Sequence, residues 1–339
     1  MSTVNVGING FGRIGRCVLK HMLEDGGFSV VGINDLADPA DLAYLLKYDS
    51  VYGRYAKTVE SDGSSISVDD GRIPFFAESE PADIPWEKVG ADIVLECTGA
   101  FRGRDTAAGH LEAGAKKVVI SAPSDDVDGT FVLGVNEDTY DSATHHVVSM
   151  ASCTTNCAAP PLKVLHRAFG VEYVAFTTVH AYTSSQSLVD LPSRKRRRSR
   201  AANLSIIPTT TGAAKAVGLV IPELAGRVDG LAMRVPVPAG SITDITVKLL
   251  QPATAEQVND VLRTAAAGDR LRHIMAVSDE QLVSRDIVSD PHSGIVDATS
   301  TMRVRDDLLK LLVWYDNEWG YSARLADFAR TIDTQSNSS

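Results

Sequence analysis

The run "VNVGINGFGRIGRCVLKHML" (residues 4–23) constrains this chain more than any other stretch. Val4, Val6 and Ile8 alternate as in a strand, a glycine-rich turn follows, and an amphipathic run then reads as a helix. Gly10, Gly12 and Gly15 form G-x-G-x-x-G. The first glycine permits a tight turn, the second lets backbone approach a pyrophosphate, and the third lets helix pack closely on strand. The helix start then offers free N–H groups and a positive dipole end to phosphates. Asp35 stands 20 positions after the third glycine, at the end of the strand-like "FSVVGIND". A carboxylate there accepts hydrogen bonds from ribose hydroxyls and repels the 2′-phosphate of NADP. The alternative for Asp35 is a cap on the next helical run, "DPADLAYLL"; the intact strand–turn–helix–strand unit favours the cofactor.

Strand patterns recur at "ADIVLECTG" and "KKVVISAP", with "DTAAGHLEAG" as a helix between them. Strands alternating with helices predict an α/β domain with a doubly wound parallel sheet, whose ligands bind at the carboxyl ends of strands. "VYGRYAKTVESDGSSISVDDGRIPFFAESEP" reads as turns and short strands inserted into that domain, and "SDDVDGT" as a solvated acidic loop. At 339 residues the chain exceeds one typical core, so two domains are expected. No apolar run nears the roughly 20 residues of a membrane helix. The N-terminus lacks the pattern of a signal peptide, so a cytoplasmic location is the expectation. The net charge of −10 argues against general nucleic-acid affinity. Asp outnumbers Glu 30 to 13 and Arg outnumbers Lys 22 to 11, a bias that suits either a salt-rich cytoplasm or a GC-rich genome.

Two of the four cysteines, Cys153 and Cys157, fall in "ASCTTNCAAPPLKVLHRAFG". Leu162, Leu165 and Phe169 repeat at helical spacing, so a helix should begin near Cys153. The dipole and free amides there favour thiolate over thiol, an advantage that has faded one turn on at Cys157. Pro160 and Pro161 argue for an irregular or later start. Cysteines this few and scattered make no disulfide framework, and no histidine stands at metal-ligand spacing, so no metal is expected. His180 ends the strand-like "YVAFTTVH", followed by Thr183, Ser184 and Ser185. There it could pair with a thiolate, although composition alone favours a packing or surface histidine. Thr209–Gly212 precede a helical run as a candidate anion cradle. Arg234 stands in an otherwise apolar strand, where a guanidinium needs a partner. Asn317, Trp319 and Tyr321 follow a strand in "LLKLLVWYDNEWGYS". Each has an ordinary reading as a cap, an ion pair or a turn; beside a dinucleotide site, the functional readings gain.

"INGFGRIGR", "ASCTTNC", "TTVHAYT", "IIPTTTGAAKAVGLV", "AMRVP" and "WYDNEWGYS" together resemble the phosphorylating glyceraldehyde-3-phosphate dehydrogenase family, in its order and along nearly the whole chain. The resemblance implies a homotetramer. Each subunit would have a Rossmann-type domain over 1–152, completed by a C-terminal helix at 318–334. An α+β catalytic domain with a mainly antiparallel sheet would span 153–317. It makes Cys153 the nucleophile and His180 its partner, with the Cys153 amide and His180 on the oxyanion. Thr183 and Arg234 would take the substrate phosphate. Ser152, Thr154, Thr211 and Gly212 would take the attacking inorganic phosphate. Gly10, Gly12, Arg13, Ile14, Gly15, Asp35, Thr98, Ser121 and Asn317 would hold the cofactor. "NDL" at 34–36 and "DLP" at 190–192 resemble members that use NAD.

Three places depart from the family pattern: Met150 where Asn is usual, "VPAGS" (237–241) for the common "TPNVS", and Ser79 where Arg is frequent. The first two flank the expected active site and bear on aldehyde preference. "SRKRRRSR" (193–200) carries six cations; the resemblance puts it in a loop between subunits, where ion pairs rather than nucleic acid are expected. The competing functions are a related aldehyde-phosphate dehydrogenase, such as one for erythrose 4-phosphate, and a dinucleotide-binding protein that has lost its chemistry.

Overall fold

Strand Val4–Asn9 is the middle of a nine-stranded sheet, in parallel between Phe28–Asn34 and Ile93–Glu96. The chain builds outward on one side through Phe28–Asn34, then returns to the other through Ile93–Glu96, Lys117–Ile120, Val147–Ser149 and Gly129–Thr130, all parallel. Strand order therefore reverses at Val4–Asn9, which puts a ligand crevice at the carboxyl end of this strand. The 51–81 stretch, expected as turns and short strands inserted into the domain, forms short strands, and most of them extend the far edge of the sheet: Gly71–Phe76 pairs in parallel with Phe28–Asn34, and Ser65–Val68 and Val59–Ser61 add antiparallel strands. Helices cover the parallel strands, so these strands are buried almost throughout. Helix Arg13–Asp25 buries Cys17, Val18, Leu19 and Met22 and stops at Gly26, left-handed at φ 73°. Where one helix was expected at 105–114, two short ones form, Arg104–Ala107 and Gly109–Glu112.

The computed structural model describes residues 3–336, which divide into two units. The first holds the residues through Phe131, Asp138–Ala151 and the segment from Ser322. That last segment is most of helix Trp319–Ser336. Its Phe328 stacks on Phe131 with ring centroids 5.4 Å apart, and its Arg330 pairs with Asp25 and covers the Phe28 ring.

The second unit, Val132–Glu137 and Ser152–Tyr321, is built on a seven-stranded sheet. Its order is Ile207–Thr210, Val228–Val235, Val171–Ala181, Ser241–Leu249, Leu308–Tyr315, Gly294–Arg305, Met275–Ser278. Pairing is antiparallel except between Val171–Ala181 and Val228–Val235, and between Met275–Ser278 and Gly294–Arg305. Ser241–Leu249 and Leu308–Tyr315 alternate buried and half-buried residues without a break, the mark of a sheet with one covered face. Helices Cys153–Phe169 and Ala255–Ala267 pack on this sheet. The prolines do not delay the first of these: it runs unbroken from Cys153 with Pro160 and Pro161 inside it. Pro161 has no N–H for the Cys157 carbonyl one turn back. Gly294 approaches that oxygen so closely that a Cβ would lie 3.0 Å from it.

Candidate active site

In the first unit the three glycines of the turn have three different reasons. Gly10 sits at φ 90°, and a Cβ on it would meet the Thr98 amide nitrogen at 2.5 Å. A Cβ on Gly15 would lie 2.2 Å from the Gly10 carbonyl oxygen, so helix and strand end touch there. Gly12 has nothing within 4 Å of an added Cβ, and no side chain caps the helix that follows it. The protein's own packing does not demand glycine at 12, and the space over its backbone leaves room for a ligand to approach closely. Asp35 does not cap the next helix, a task that falls to Asp38, whose carboxylate accepts from Ala40 N–H at 2.8 Å. Asp35 instead turns to the glycine loop, accepting from Phe11 N–H at 2.7 Å and from Ala37 N–H at 3.0 Å. An uncapped helix start, open space over Gly12 and a carboxylate beside the loop fit the dinucleotide that the sequence called for.

Arg13 and Ile14 begin that helix, half-buried, and Asp49 accepts from Arg13 Nη1 at 2.6 Å. The Thr98 hydroxyl turns inward, donating to Glu96 and accepting from Ala100 N–H at 3.0 Å, and the Thr98 N–H also donates to Glu96, at 2.8 Å. Ser121 follows strand Lys117–Ile120, its N–H on the Glu96 carbonyl oxygen at 2.9 Å. Burial and the Glu96 charge push the adjacent Cys97 thiol up to about 12, which favours the thiol over the thiolate there.

In the second unit Cys153 is the first residue of its helix, and Ser152 caps it, accepting from Thr155 N–H at 3.1 Å. The residue before, Ala151, is left-handed at φ 54°. Cys153 Sγ lies 3.4 Å from His180 Nε2. His180 is buried on strand Val171–Ala181, directly opposite Arg234 in the parallel pairing. Its Nδ1 lies 3.0 Å from Arg234 Nη1 and 2.7 Å from the Ala181 carbonyl oxygen. When Arg234 donates to Nδ1, Nε2 carries the ring proton; when Nδ1–H donates to Ala181, Nε2 offers a lone pair to the thiol.

Burial and the Arg234 cation push the imidazole down to about 3, so it is neutral near pH 7. The thiol departs from the expected acidification: burial pushes it up, while Arg234 and the amides of Thr154 and Cys153 pull the other way. The helix start does act on the sulfur, but desolvation outweighs it. Cys157 is fully buried against Thr243 and the Val313 carbonyl, and burial pushes its thiol up as well.

Around this pair the structure gathers some of the expected residues. Arg234 Nη1 donates to Ala181 O at 2.8 Å and to Thr183 Oγ1 at 3.4 Å, while its Nε is buried with no partner. Thr154 is buried, its hydroxyl 2.9 Å from Tyr315 OH. Thr211 accepts from Ala213 N–H at 3.2 Å and, with Gly212, starts helix Ala213–Val220. Thr211 also faces a groove of about 680 Å³ lined by Lys195, Arg196 and Arg197. The basic run is tied within its own chain: Lys195 donates to Thr210 at 2.8 Å, Arg198 to Thr209 at 3.1 Å, and Arg200 pairs with Asp190 at 2.9 Å.

Three residues of the site escape a reading of the sequence. Arg198 also donates to Ser185 at 3.3 Å, and its charge reaches His180 and Arg234; a run of six cations reads as surface charge and hides it. Tyr315 joins Thr154 to Thr178 and sets its ring edge-on to His180, centroids 5.9 Å apart. Ser241 accepts from Ala181 N–H at 3.0 Å and donates to Asn317 Oδ1 at 2.9 Å, so one hydroxyl orients the buried Asn317 amide and the end of the His180 strand. Strand register places Tyr315 and Ser241, and the fold of the basic loop places Arg198; no local motif carries either.

The departures resolve unequally. Gly240 of "VPAGS" is at φ 80°, and a Cβ there would lie 2.0 Å from the Ser284 carbonyl oxygen, so the common valine does not fit this backbone. Met150 is fully buried, and nothing in the structure ties it to a substrate. Ser79 is exposed.

Comparison with known proteins matches residues 4–104 to "Glyceraldehyde 3-phosphate dehydrogenase, NAD binding domain" and residues 152–317 to "Glyceraldehyde 3-phosphate dehydrogenase, C-terminal domain". Among curated relatives, glyceraldehyde-3-phosphate dehydrogenase of Geobacillus stearothermophilus is 52% identical over 329 residues, covering 97% of this chain and 98% of the relative. Glyceraldehyde-3-phosphate dehydrogenase 1 of Bacillus subtilis (strain 168) matches to the same extent. That of Streptomyces coelicolor is 50% identical over 334 residues, 98% and 99% of the two chains.

Proposed function

The chain belongs to the glyceraldehyde 3-phosphate dehydrogenase family, and on that premise we propose that it is an NAD-dependent enzyme converting glyceraldehyde 3-phosphate and inorganic phosphate to 1,3-bisphosphoglycerate. The observation that carries the mechanism is the 3.4 Å contact between Cys153 Sγ and a buried, neutral His180. His180 Nε2 takes the thiol proton as sulfur adds to the aldehyde carbon, and the oxyanion takes a proton back to give a thiohemiacetal. The Cys153 amide and His180 stabilise that oxyanion. Bound NAD supplies the acceptor for the hydride that leaves the carbon. His180 holds the hydroxyl proton released as the carbonyl re-forms, leaving a thioester on Cys153. Phosphate attack then breaks the carbon–sulfur bond, and His180 returns its proton to the departing sulfur.

Arg234 and Thr183 take the substrate phosphate; the buried, unpartnered Nε of Arg234 is the donor that an anion would satisfy. Ser152, Thr154, Thr211 and Gly212 receive the attacking phosphate, and Arg198 adds charge beside them. Gly10, Gly12, Arg13, Ile14, Gly15 and Asp35 hold the adenosine and pyrophosphate of NAD, with Thr98, Ser121 and Asn317 on its nicotinamide half. In this reading residues 1–152 with 318–334 bind NAD, and residues 153–317 carry the chemistry and the contacts of a cytoplasmic homotetramer. The reaction serves glycolysis and, reversed, gluconeogenesis. An erythrose 4-phosphate enzyme is not favoured, because the relatives compared above are glyceraldehyde-3-phosphate dehydrogenases.

Steady-state assays with NAD or NADP, with and without phosphate, test this. NADH should form from glyceraldehyde 3-phosphate and depend on added phosphate. Without phosphate, acid quenching should trap one acyl group on Cys153. Cys153→Ser should abolish NADH formation while still binding NAD; phosphate-independent turnover, or activity in that variant, would overturn the reading.

A further inference from the structure

In the first unit, the last residues of three adjacent strands form a buried polar row at the carboxyl edge of the sheet. Asn9 is in register with Asn34 on one side and with Glu96 on the other. All three are buried, and the Glu96 side chain is wholly so. Asn34 Nδ2 donates to Asn9 Oδ1 at 2.8 Å, and Asn9 Nδ2 donates to Glu96 Oε2 at 2.5 Å. His110, equally buried, stands 3.2 Å from that oxygen through Nε2. Trp86 Nε1–H donates to His110 Nδ1 at 3.0 Å, so the neutral ring carries its proton on Nε2 and donates it to Glu96. The other carboxylate oxygen, Oε1, accepts from Thr98 N–H at 2.8 Å and from the Thr98 hydroxyl. Four donors thus converge on one carboxylate.

A buried carboxylate is the costliest group to put at a strand end, and apolar side chains fill the positions just before it. What it supplies is direction. The chain leaves Asn9 into the Gly10–Gly15 loop, Asn34 into Asp35, and Glu96 into the turn that carries Thr98. Those turns are stacked: Gly10 N–H bonds the Asn34 carbonyl at 2.8 Å, Cys97 N–H bonds the Asn9 carbonyl at 2.7 Å, and Gly10 has no room for a Cβ beside Thr98. We infer that Glu96 is a positioning residue for the dinucleotide: its carboxylate locks the Thr98 turn against the glycine loop across the point where strand order reverses. The His110–Trp86 pair fixes the polarity of that lock. This rests on the NAD reading above.

NAD titrations and thermal melts of the full chain and three variants test it. The wild type must bind NAD; if it does not, the cofactor reading itself falls. In Glu96→Gln, whichever oxygen is replaced, the new amide faces two donors. We expect the Kd and KM for NAD to rise at least tenfold, with kcat at saturating NAD within about twofold. Asn9→Asp combined with Glu96→Gln swaps the charge across the same contact. The carboxylate introduced at position 9 then accepts from the amide introduced at position 96, from Asn34, and from the Nε2–H of His110, a nitrogen that stands 3.4 Å from Asn9 Nδ2 in the wild type. This pair should return NAD affinity to within about threefold of wild type. A folded Glu96→Gln protein that binds NAD as the wild type does overturns the inference, as does a folded double variant no better than the single. Should Glu96→Gln fail to fold, Thr98→Val removes the hydroxyl that donates to Glu96 and accepts from Ala100 N–H, keeps the backbone donor, and should still raise the Kd several-fold; an unchanged Kd overturns the proposal equally.

Discussion

Neutralising Arg234 bears most directly on the chemistry of Cys153. The guanidinium is one of the forces pulling the thiol pKa down against burial, so its loss should leave the thiol pKa still higher. A higher thiol pKa means less thiolate at a given pH. In Arg234→Gln, alkylation of Cys153 by iodoacetamide at pH 7 should slow several-fold, with the pH–rate curve displaced upward. The same variant should raise KM for the phosphorylated aldehyde. An undisplaced curve would remove Arg234 from the thiolate's environment. At this scale the sequence was eloquent about types and silent about balance. Cys153 at a helix start was legible because a helix's first turn is a local property. That burial outweighs the helix start was not, because desolvation depends on everything folded around the sulfur.

At the scale of elements, the glycine turn makes a paired test. Gly15→Ala drives a methyl into the Gly10 carbonyl, and overpacking against backbone costs about 3 kcal/mol. Its melting temperature should fall by roughly 5–10 °C. Gly12→Ala meets nothing in the protein itself and should melt within about a degree of wild type, yet lose NAD affinity about tenfold, or about 1.4 kcal/mol. Equal affinity in Gly12→Ala would mean that no ligand comes close to that backbone. Ser241→Ala leaves the Ala181 N–H without its acceptor and frees the Asn317 amide. A buried unpaired donor costs about 1–3 kcal/mol. We expect kcat/KM for NAD to fall about tenfold, measured at a temperature where the variant is folded; loss of stability alone would make Ser241 merely structural. The turn was readable because each glycine sits within a few residues of its partners in the motif. Ser241 was not, since its two partners lie 60 and 76 residues away.

For the whole molecule, the sheet face of the second unit turned away from its helices carries exposed Tyr173, Leu231 and Met302. Exposed apolar side chains on a regular sheet face suit packing against another copy. Light scattering should therefore give about four times the 36.3 kDa of one chain, and Leu231→Glu should lower that mass; a monomer would remove the tetramer from the proposal. By itself the sequence determined the parallel α/β half and singled out Cys153 and His180 as candidates for nucleophile and base, because periodicity, turn glycines and short motifs are written within single elements. Tertiary structure alone decided how the inserted strands extend the sheet edge, where the Asp35 carboxylate points, and which cations of the basic run meet hydroxyls. It also decided that Glu96 gathers four donors. Each of these depends on strand register and burial, which join residues far apart in the chain through contacts that no local pattern encodes.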